Sequence, residues 1–281
     1  MFTDTHCHLY DEAFDDDRDL AVGRAVAAGV SLMLLPGIDS QSHAAQEALE
    51  AAYPQYFRQM MGLHPTSVTA DFEPELSIVE QKLFQPEHRY VGVGEIGLDL
   101  YWDKTYLEEQ KEVLRRQMRW ARQLDLPVCL HVRKAYNELF GLLRDLNYGT
   151  YKGVMHCFGG SVQEAHKAVE MGFHLGIGGV VTFKNATMAE VVAAVPLQSL
   201  VLETDAPYLA PVPYRGKRNE SAYIPVIADK IAQIKGVTLD EVAEVTTESA
   251  CQLFFSPRQD LKKAIGEYDA RSACPYFQLP K

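Results

Sequence analysis

Residues 107–133, LEEQKEVLRRQMRWARQLDLPVCLHVR, hold one full period of the pattern that decides the fold. Between Leu107 and Leu124, the residues Leu114, Met118 and Ala121 recur at three- and four-residue steps, which puts them on one face of an amphipathic helix. Pro127 ends that period, and Val128 to Arg133 reads as a short apolar strand. Outward from there, similar runs return at intervals suited to βα units: residues 2–8, 30–36, 57–63, 90–95, 127–132, 153–157, 173–178 and 199–204. Toward the C-terminus, Pro225 opens a helix whose Ile227, Ile231 and Ile234 share a face, and Thr238-Leu239-Asp240-Glu241 reads as a capping box. Eight strands alternating with helices predict an α/β fold, a (β/α)8 TIM-like barrel, with an open doubly wound sheet as the second choice.

Length alone allows two domains, since the chain has 281 residues. No Gly/Ser-rich or Pro-rich linker interrupts the first 256, so residues 1–256 are expected to form one barrel and 257–281 a C-terminal extension of unread role. With 47% hydrophobic and 23% charged residues the chain can bury a large core, which excludes a disordered or collagen-like protein. Its 27 Lys and Arg against 38 Asp and Glu leave a net charge of −11, which argues against broad wrapping of nucleic acid or an anionic membrane. Local basic patches stay open. Five cysteines, Cys7, Cys129, Cys157, Cys251 and Cys274, form no C-x-x-C pair, and an odd number is a poor basis for a disulfide framework. The N-terminus lacks a basic region before an apolar run, and no stretch reaches about 18 apolar residues. The expectation is a cytoplasmic protein without membrane contact or obligate protein partner.

A barrel places its chemistry at the C-terminal ends of its strands, and metal-ligand residue types gather there. Strand one runs into His6-Cys7-His8, where alternation turns both histidines the same way and Cys7 toward the helices. Such a pair taken alone is more often a polar detail than a metal site; its position gives it weight. Gly62-Leu63-His64-Pro65 ends strand three, and Gly92-Val93-Gly94-Glu95 puts a carboxylate at the rim after an apolar run, where it needs positive charge. His131 and Arg133 share a face of strand five, His156 ends strand six, and Glu203 and Asp205 alternate onto one face of strand eight. His6, His8, Glu95, His131, His156 and Asp205 together have the composition of a dinuclear site. Six ligands exceed the needs of one tetrahedral ion, so the economical arrangement has two divalent ions bridged by Glu95, of identity (Mg, Mn or Zn) that the mixed ligand set does not determine. Such sites activate water and polarise the bond it attacks, with Asp205 taking the proton. Asp15-Asp16-Asp17 reads instead as charge at a helix start.

Six motifs in this order, Thr3-Asp4-Thr5-His6-Cys7-His8, Gly62-Leu63-His64-Pro65, Gly94-Glu95-Ile96-Gly97-Leu98-Asp99, Leu130-His131 with Arg133, His156-Cys157-Phe158 with Gly160, and Glu203-Thr204-Asp205-Ala206-Pro207-Tyr208, resemble the TatD family of metal-dependent hydrolases over residues 1 to about 255. The resemblance implies an amidohydrolase-like barrel, a divalent metal cofactor and deoxyribonuclease activity, an ester-bond hydrolysis that is often exonucleolytic. It matches the six residues above to the family's metal ligands and His64 to a position near the substrate with a supporting catalytic role. The segment Arg215-Gly216-Lys217-Arg218-Asn219-Glu220 matches the family's loop after strand eight. Arg215, Lys217, Arg218 and Asn219 there are candidates to hold a short or single-stranded DNA end. Arg133 is the best single phosphate contact, with Lys134 and Lys184 weaker. Gly159 and Ser221 depart from the family's usual residues, and neither is a ligand. Other readings keep the site but change the bond, to a cyclic amide or lactone, or drop catalysis for a metal-binding scaffold.

Overall fold

Strands that neighbour one another in the chain also pair in space, all of them parallel, in a computed structural model that describes residues 1–86, 90–184 and 187–255. They run Phe2–Asp4 (β1), Val30–Leu35 (β2), Phe57–Met61 (β3), Gly92–Asp99 (β4), Val128–Arg133 (β5), Gly153–Met155 (β6), Phe173–Ile177 (β7) and Leu200–Leu202 (β8). The eight-stranded sheet has the order β1-β2-β3-β4-β5-β6-β7-β8. Its two ends meet through the backbone: Thr5 donates from its N–H to the Leu202 carbonyl at 2.9 Å, and Asp205 to the His6 carbonyl at 2.9 Å. That closure gives the (β/α)8 barrel and removes the open-sheet alternative.

Around it lie α1 (Arg18–Ala27), α2 (Ser40–Ala52), α3 (Glu73–Leu83), α4 (Leu107–Leu124), α5 (Tyr136–Asp145), α6 (Val162–Glu170), α7 (Met188–Ala194), α8 (Ile224–Lys235) and α9 (Leu239–Phe255). Helix α4 has the predicted bounds and buries Leu114, Met118 and Ala121. In α8, Pro225 sits in the first turn while Ile227 and Ile231 are buried, and the Glu241 N–H donates to Thr238 Oγ1 at 3.1 Å ahead of α9. Strands buried on both faces read as continuous apolar runs, as β2 does at every position. Its Leu32 and Leu34 pack inside the barrel with Met60, Cys129, Val154 and Val201, whereas Met33 and Leu35 pack against the helices. The end of α9 joins the interior group through Ala250, Leu253 and Phe254, and Ser249 Oγ donates to the Gln198 carbonyl just before β8. Thus α9 closes the barrel at the starts of the strands and leaves the opposite mouth for chemistry.

Several strand boundaries differ from the sequence expectation. Strand β4 continues past Glu95 to Asp99 because Gly97 permits, rather than ends, the ladder: a Cβ there would lie 1.9 Å from the His131 carbonyl oxygen. Strands β1, β6 and β8 stop early, so His6, His8, His156, Glu203 and Asp205 lie just beyond the regular pairing. Cys7, Cys129 and Cys157 are free thiols. Among the described residues no helix is long and apolar enough to cross a membrane. The expected extension 257–281 lies outside the described residues.

Candidate metal centre

The ends of β1 and β8 are tied together by one buried carboxylate. Asp4 accepts from the His6 N–H at 3.2 Å, from the Thr204 N–H at 3.0 Å and from Thr204 Oγ1 at 2.6 Å. Burial pushes its own pKa up to about 7, against the pull of those donors. Asp205 follows with φ of 58°, a left-handed conformation that Asp tolerates and that the bond to His6 holds in place. Strand β7 contributes an absence: a Cβ on Gly176 would lie 2.1 Å from Glu203 Oε2, so glycine makes the space that Glu203 fills.

Glu95 stands at the centre with its two oxygens facing different groups. Oε2 lies 3.1 Å from His6 Nε2 and 4.0 Å from His8 Nε2. Oε1 lies 2.8 Å from His131 Nδ1, 3.2 Å from His64 Nε2 and 3.6 Å from His156 Nε2. Asp205 Oδ1 completes the first group at 3.3 Å from His8 Nε2 and reaches within 3.8 Å of His156 Nε2. Ligand atoms of His6, His8 and Asp205, of His6, Glu95 and His156, and of His64, Glu95 and His131 therefore form overlapping clusters, each within 4.8 Å. All six expected ligands meet here. His64, read from sequence as a supporting residue, joins them as a seventh donor.

A second layer sets the imidazole tautomers. His8 Nδ1 lies 2.9 Å from Tyr10 Oη, whose own proton goes to the Pro36 carbonyl, so the tyrosine accepts from the histidine. Asp99 Oδ2 lies 2.9 Å from His131 Nε2, Glu203 Oε1 lies 3.2 Å from His156 Nδ1, and Cys129 Sγ lies 3.3 Å from His6 Nδ1. Carboxylates only accept, so with a cation among the inward nitrogens Asp99 and Glu203 would keep the proton on the outward nitrogen and leave the inward one with a lone pair. Those inward nitrogens face the oxygens of Glu95 and Asp205. Acceptors converging on acceptors are stable only around cationic charge, and imidazole with carboxylate is a donor set for a divalent metal. The residues present fit such an ion.

Burial raises the Glu95 carboxyl, but His64, His156 and His6 facing it outweigh burial and hold it well below the usual carboxylate range. His6 is pushed down to about 4, by burial first and then by His156, and so is neutral at physiological pH. For His156, burial is overcome by Glu203 and Glu95, which raise its pKa to about 10: a proton on the inward nitrogen stands where these carboxylates would otherwise take a metal ion. Asp205 is likewise lowered overall: burial raises it, while its bond to His8 and the charge of His156 win.

A cavity of about 1120 Å³ opens over the cluster, and His8, His64, Glu95, His131, His156 and Asp205 line it with Arg133 and Lys134. The loop after β8 behaves differently from its sequence expectation. Arg218 binds Asp17 with two nitrogens, at 2.6 and 2.9 Å, and Glu220 at 2.9 Å, and its guanidinium stacks 4.3 Å over Phe14. Asn219 is buried and donates to the Thr204 and Tyr208 carbonyls at 2.8 and 2.6 Å. These contacts occupy Arg218 and Asn219 in holding the loop. Arg215 lies 4.5 Å over the Phe183 ring, Lys217 is exposed, and none of the four lines the cavity. Asp17, expected as helix-start charge, does precede α1, where it also anchors Arg24.

Sequence reasoning did not assign the four outer partners. Alternation offered a signal for three of them, since Tyr10 lies two residues from His8, Cys129 two from His131 and Glu203 two from Asp205. Nothing local marked Asp99 or Glu203 as partners of His131 and His156, because each pairing crosses between strands.

Comparison with known proteins gives the family. The family described as TatD related DNase matches residues 3–255. A metal-dependent hydrolase of Bacillus subtilis, YabD, is 37% identical over 255 residues, covering 90% of this chain and 99% of that protein. The human deoxyribonuclease TATDN3 is 33% identical over 274 residues, covering 92% and 97%. Among solved structures, the TatD homologue YJJV of Escherichia coli superposes with a TM-score of 0.84 at 33% identity, covering 91% of this chain and 98% of that one. An organophosphorus hydrolase at 13% identity and a TM-score of 0.65 shares the barrel alone. With the family matched along nearly all of the described barrel and the histidine and carboxylate cluster at its mouth, this chain belongs to the TatD family of metal-dependent hydrolases.

Proposed function

We propose that the protein is a deoxyribonuclease, a phosphodiesterase that uses two divalent ions and acts on short or single-stranded DNA ends. One observation carries the reading: Glu95 divides its two oxygens between the His6/His8 group and the His64/His131/His156 group, as a carboxylate shared by two cations would. When bound, Mg, Mn or Zn supplies Lewis-acid activation of water and of the scissile phosphate. The chain does the rest. His6, His8 and Asp205 would hold one ion and His64 and His131 the other, with Glu95 and His156 between the two groups and Tyr10, Asp99 and Glu203 keeping the imidazoles oriented. Asp205 is the proton acceptor: its side chain is 17% exposed against 3% for Glu95, and it faces the cavity. Arg133 and Lys134, exposed at the rim, bind phosphate. The relative named a deoxyribonuclease supports the same bond type.

End-labelled single- and double-stranded oligonucleotides, incubated with protein of measured metal content in Mg, Mn or Zn, test this. Labelled ends should be released in at least one metal. Intact oligonucleotides together with hydrolysis of a lactone or cyclic amide would replace the reading with the amidohydrolase alternative.

A further inference from the structure

Past the end of β4 the chain turns outward and exposes two aromatic side chains beside the metal cluster. Tyr101 is 53% exposed and Trp102 69%. Their placement is built: Asp99 Oδ1 accepts from the Tyr101 N–H at 2.8 Å and the Trp102 N–H at 3.1 Å, while its other oxygen holds His131. The two rings meet edge to face, 5.1 Å apart at 85°. From β5 the Arg133 guanidinium lies over both, 3.9 Å from the Tyr101 centroid and 5.3 Å from that of Trp102. Trp102 and Arg133 both line the cavity. An indole held out in water next to a cation and a metal-ligand cluster has a free π-face and an adjacent charge, the two elements that single-stranded nucleic-acid sites combine.

The charge balance points the same way. At a net −11, with Arg218 tied to Asp17 and Glu220, the chain has little long-range attraction for a polyanion. Affinity must come from short-range contacts, and stacking supplies one that does not depend on base identity.

We propose that Trp102, supported by Tyr101 and Arg133, is a stacking subsite for an unpaired nucleobase adjacent to the phosphate being cut. The proposal rests on the phosphodiesterase reading above and adds the reason for strand selectivity. A base inside a duplex has both faces covered by its neighbours, so the subsite favours single-stranded or frayed ends.

The chain has two tryptophans, and Trp120 on α4 is 6% exposed, so Trp102 is the fluorescent reporter of the mouth. Metal-loaded protein is titrated with phosphorothioate-linked tetrathymidylate, which resists cleavage, and with an abasic tetramer bearing the same linkages. The thymidylate should quench the emission and bind about tenfold tighter than the abasic tetramer. By anisotropy with the labelled oligonucleotide, Trp102→Ala should raise Kd about tenfold and abolish that preference, and Trp102→Phe should recover most of the loss. Equal Kd for the two tetramers in the parent protein, or an unchanged Kd in Trp102→Ala with its melting temperature preserved, overturns the subsite. Cleavage of oligonucleotides alongside such a result removes the subsite alone; no binding and no cleavage of any oligonucleotide removes both it and the phosphodiesterase reading.

Discussion

Asp99→Asn isolates the contribution of the outer layer to metal binding. The native carboxylate serves three donors at once, His131 Nε2 at 2.9 Å and the Tyr101 and Trp102 N–H groups at 2.8 and 3.1 Å, and it is almost fully buried. Asparagine is nearly isosteric but has one acceptor oxygen. If that oxygen stays on the turn, the new amide N–H meets His131 Nε2 and the imidazole proton must move to Nδ1, the nitrogen 2.8 Å from Glu95 Oε1. A protonated Nδ1 cannot be a ligand. If the oxygen turns to His131 instead, the amide N–H meets two backbone N–H groups and the turn loosens. Either way a charge-assisted hydrogen bond of roughly 1.5–3 kcal/mol is lost. Loss of an outer-shell partner of a ligand histidine typically costs about 10–100-fold in metal affinity, so about 30-fold is expected, or ~2 kcal/mol. Competition against a chromophoric chelator measures the affinity, and turnover against metal concentration should shift by the same factor. Melting in excess chelator serves as the folding control and should stay cooperative, lowered by about the few degrees that the lost hydrogen bond accounts for. Unchanged metal affinity and unchanged turnover would refute the claim that Asp99 sets the His131 tautomer.

Glu95→Gln should lower bound metal and reduce turnover at least about 100-fold while the chelated protein still melts cooperatively; full turnover would remove its bridging role. Chelation of the parent protein should lower its melting temperature, because an ion that binds only the native state contributes about 2.7 kcal/mol at a hundred times its dissociation constant. A melting temperature independent of metal concentration would mean that the cluster does not hold one. Arg218→Ala should destabilise the fold and leave the KM for oligonucleotides unchanged, whereas Arg133→Ala should raise KM and flatten its salt dependence. The opposite pattern would return the loop after β8 to the substrate. Asp17 lies well below its ordinary value of 3.8 through its bonds to Arg218 and Arg24. A depressed carboxylate stabilises the native state above that value and loses its contribution as pH falls through the folded one. Asp17→Asn should therefore melt below the parent at neutral pH, with the gap closing in acid; a gap constant across that range would contradict the ion-pair account.

Much of the site was legible because barrel chemistry has a fixed address. His6 and His8 alternate at one strand end, and His131, His156 and Asp205 follow at others, so listing strand ends was nearly the same as listing the clustered side chains. His64 was harder to weigh, since a single histidine before proline has many uses, and only its 3.2 Å approach to Glu95 makes it a donor. The basic loop misled for a physical reason. A run of Arg and Lys shows its charge in the sequence, but the carboxylates of Asp17 and Glu220 that neutralise Arg218 come into range only in space.

The sequence by itself determined the alternation of strand and helix, the bounds of α4 and the residue types at the strand ends, because helical and strand periodicities are local properties of side chains. Tertiary structure alone decided which oxygen of Glu95 faces which histidine, that Asp99 reaches His131 and Glu203 reaches His156, and that Arg218 holds α1 while Arg133 stays at the mouth. Those pairings follow from strand register and barrel closure, which bring residues as many as 201 positions apart to hydrogen-bonding distance and which no local window of the chain contains.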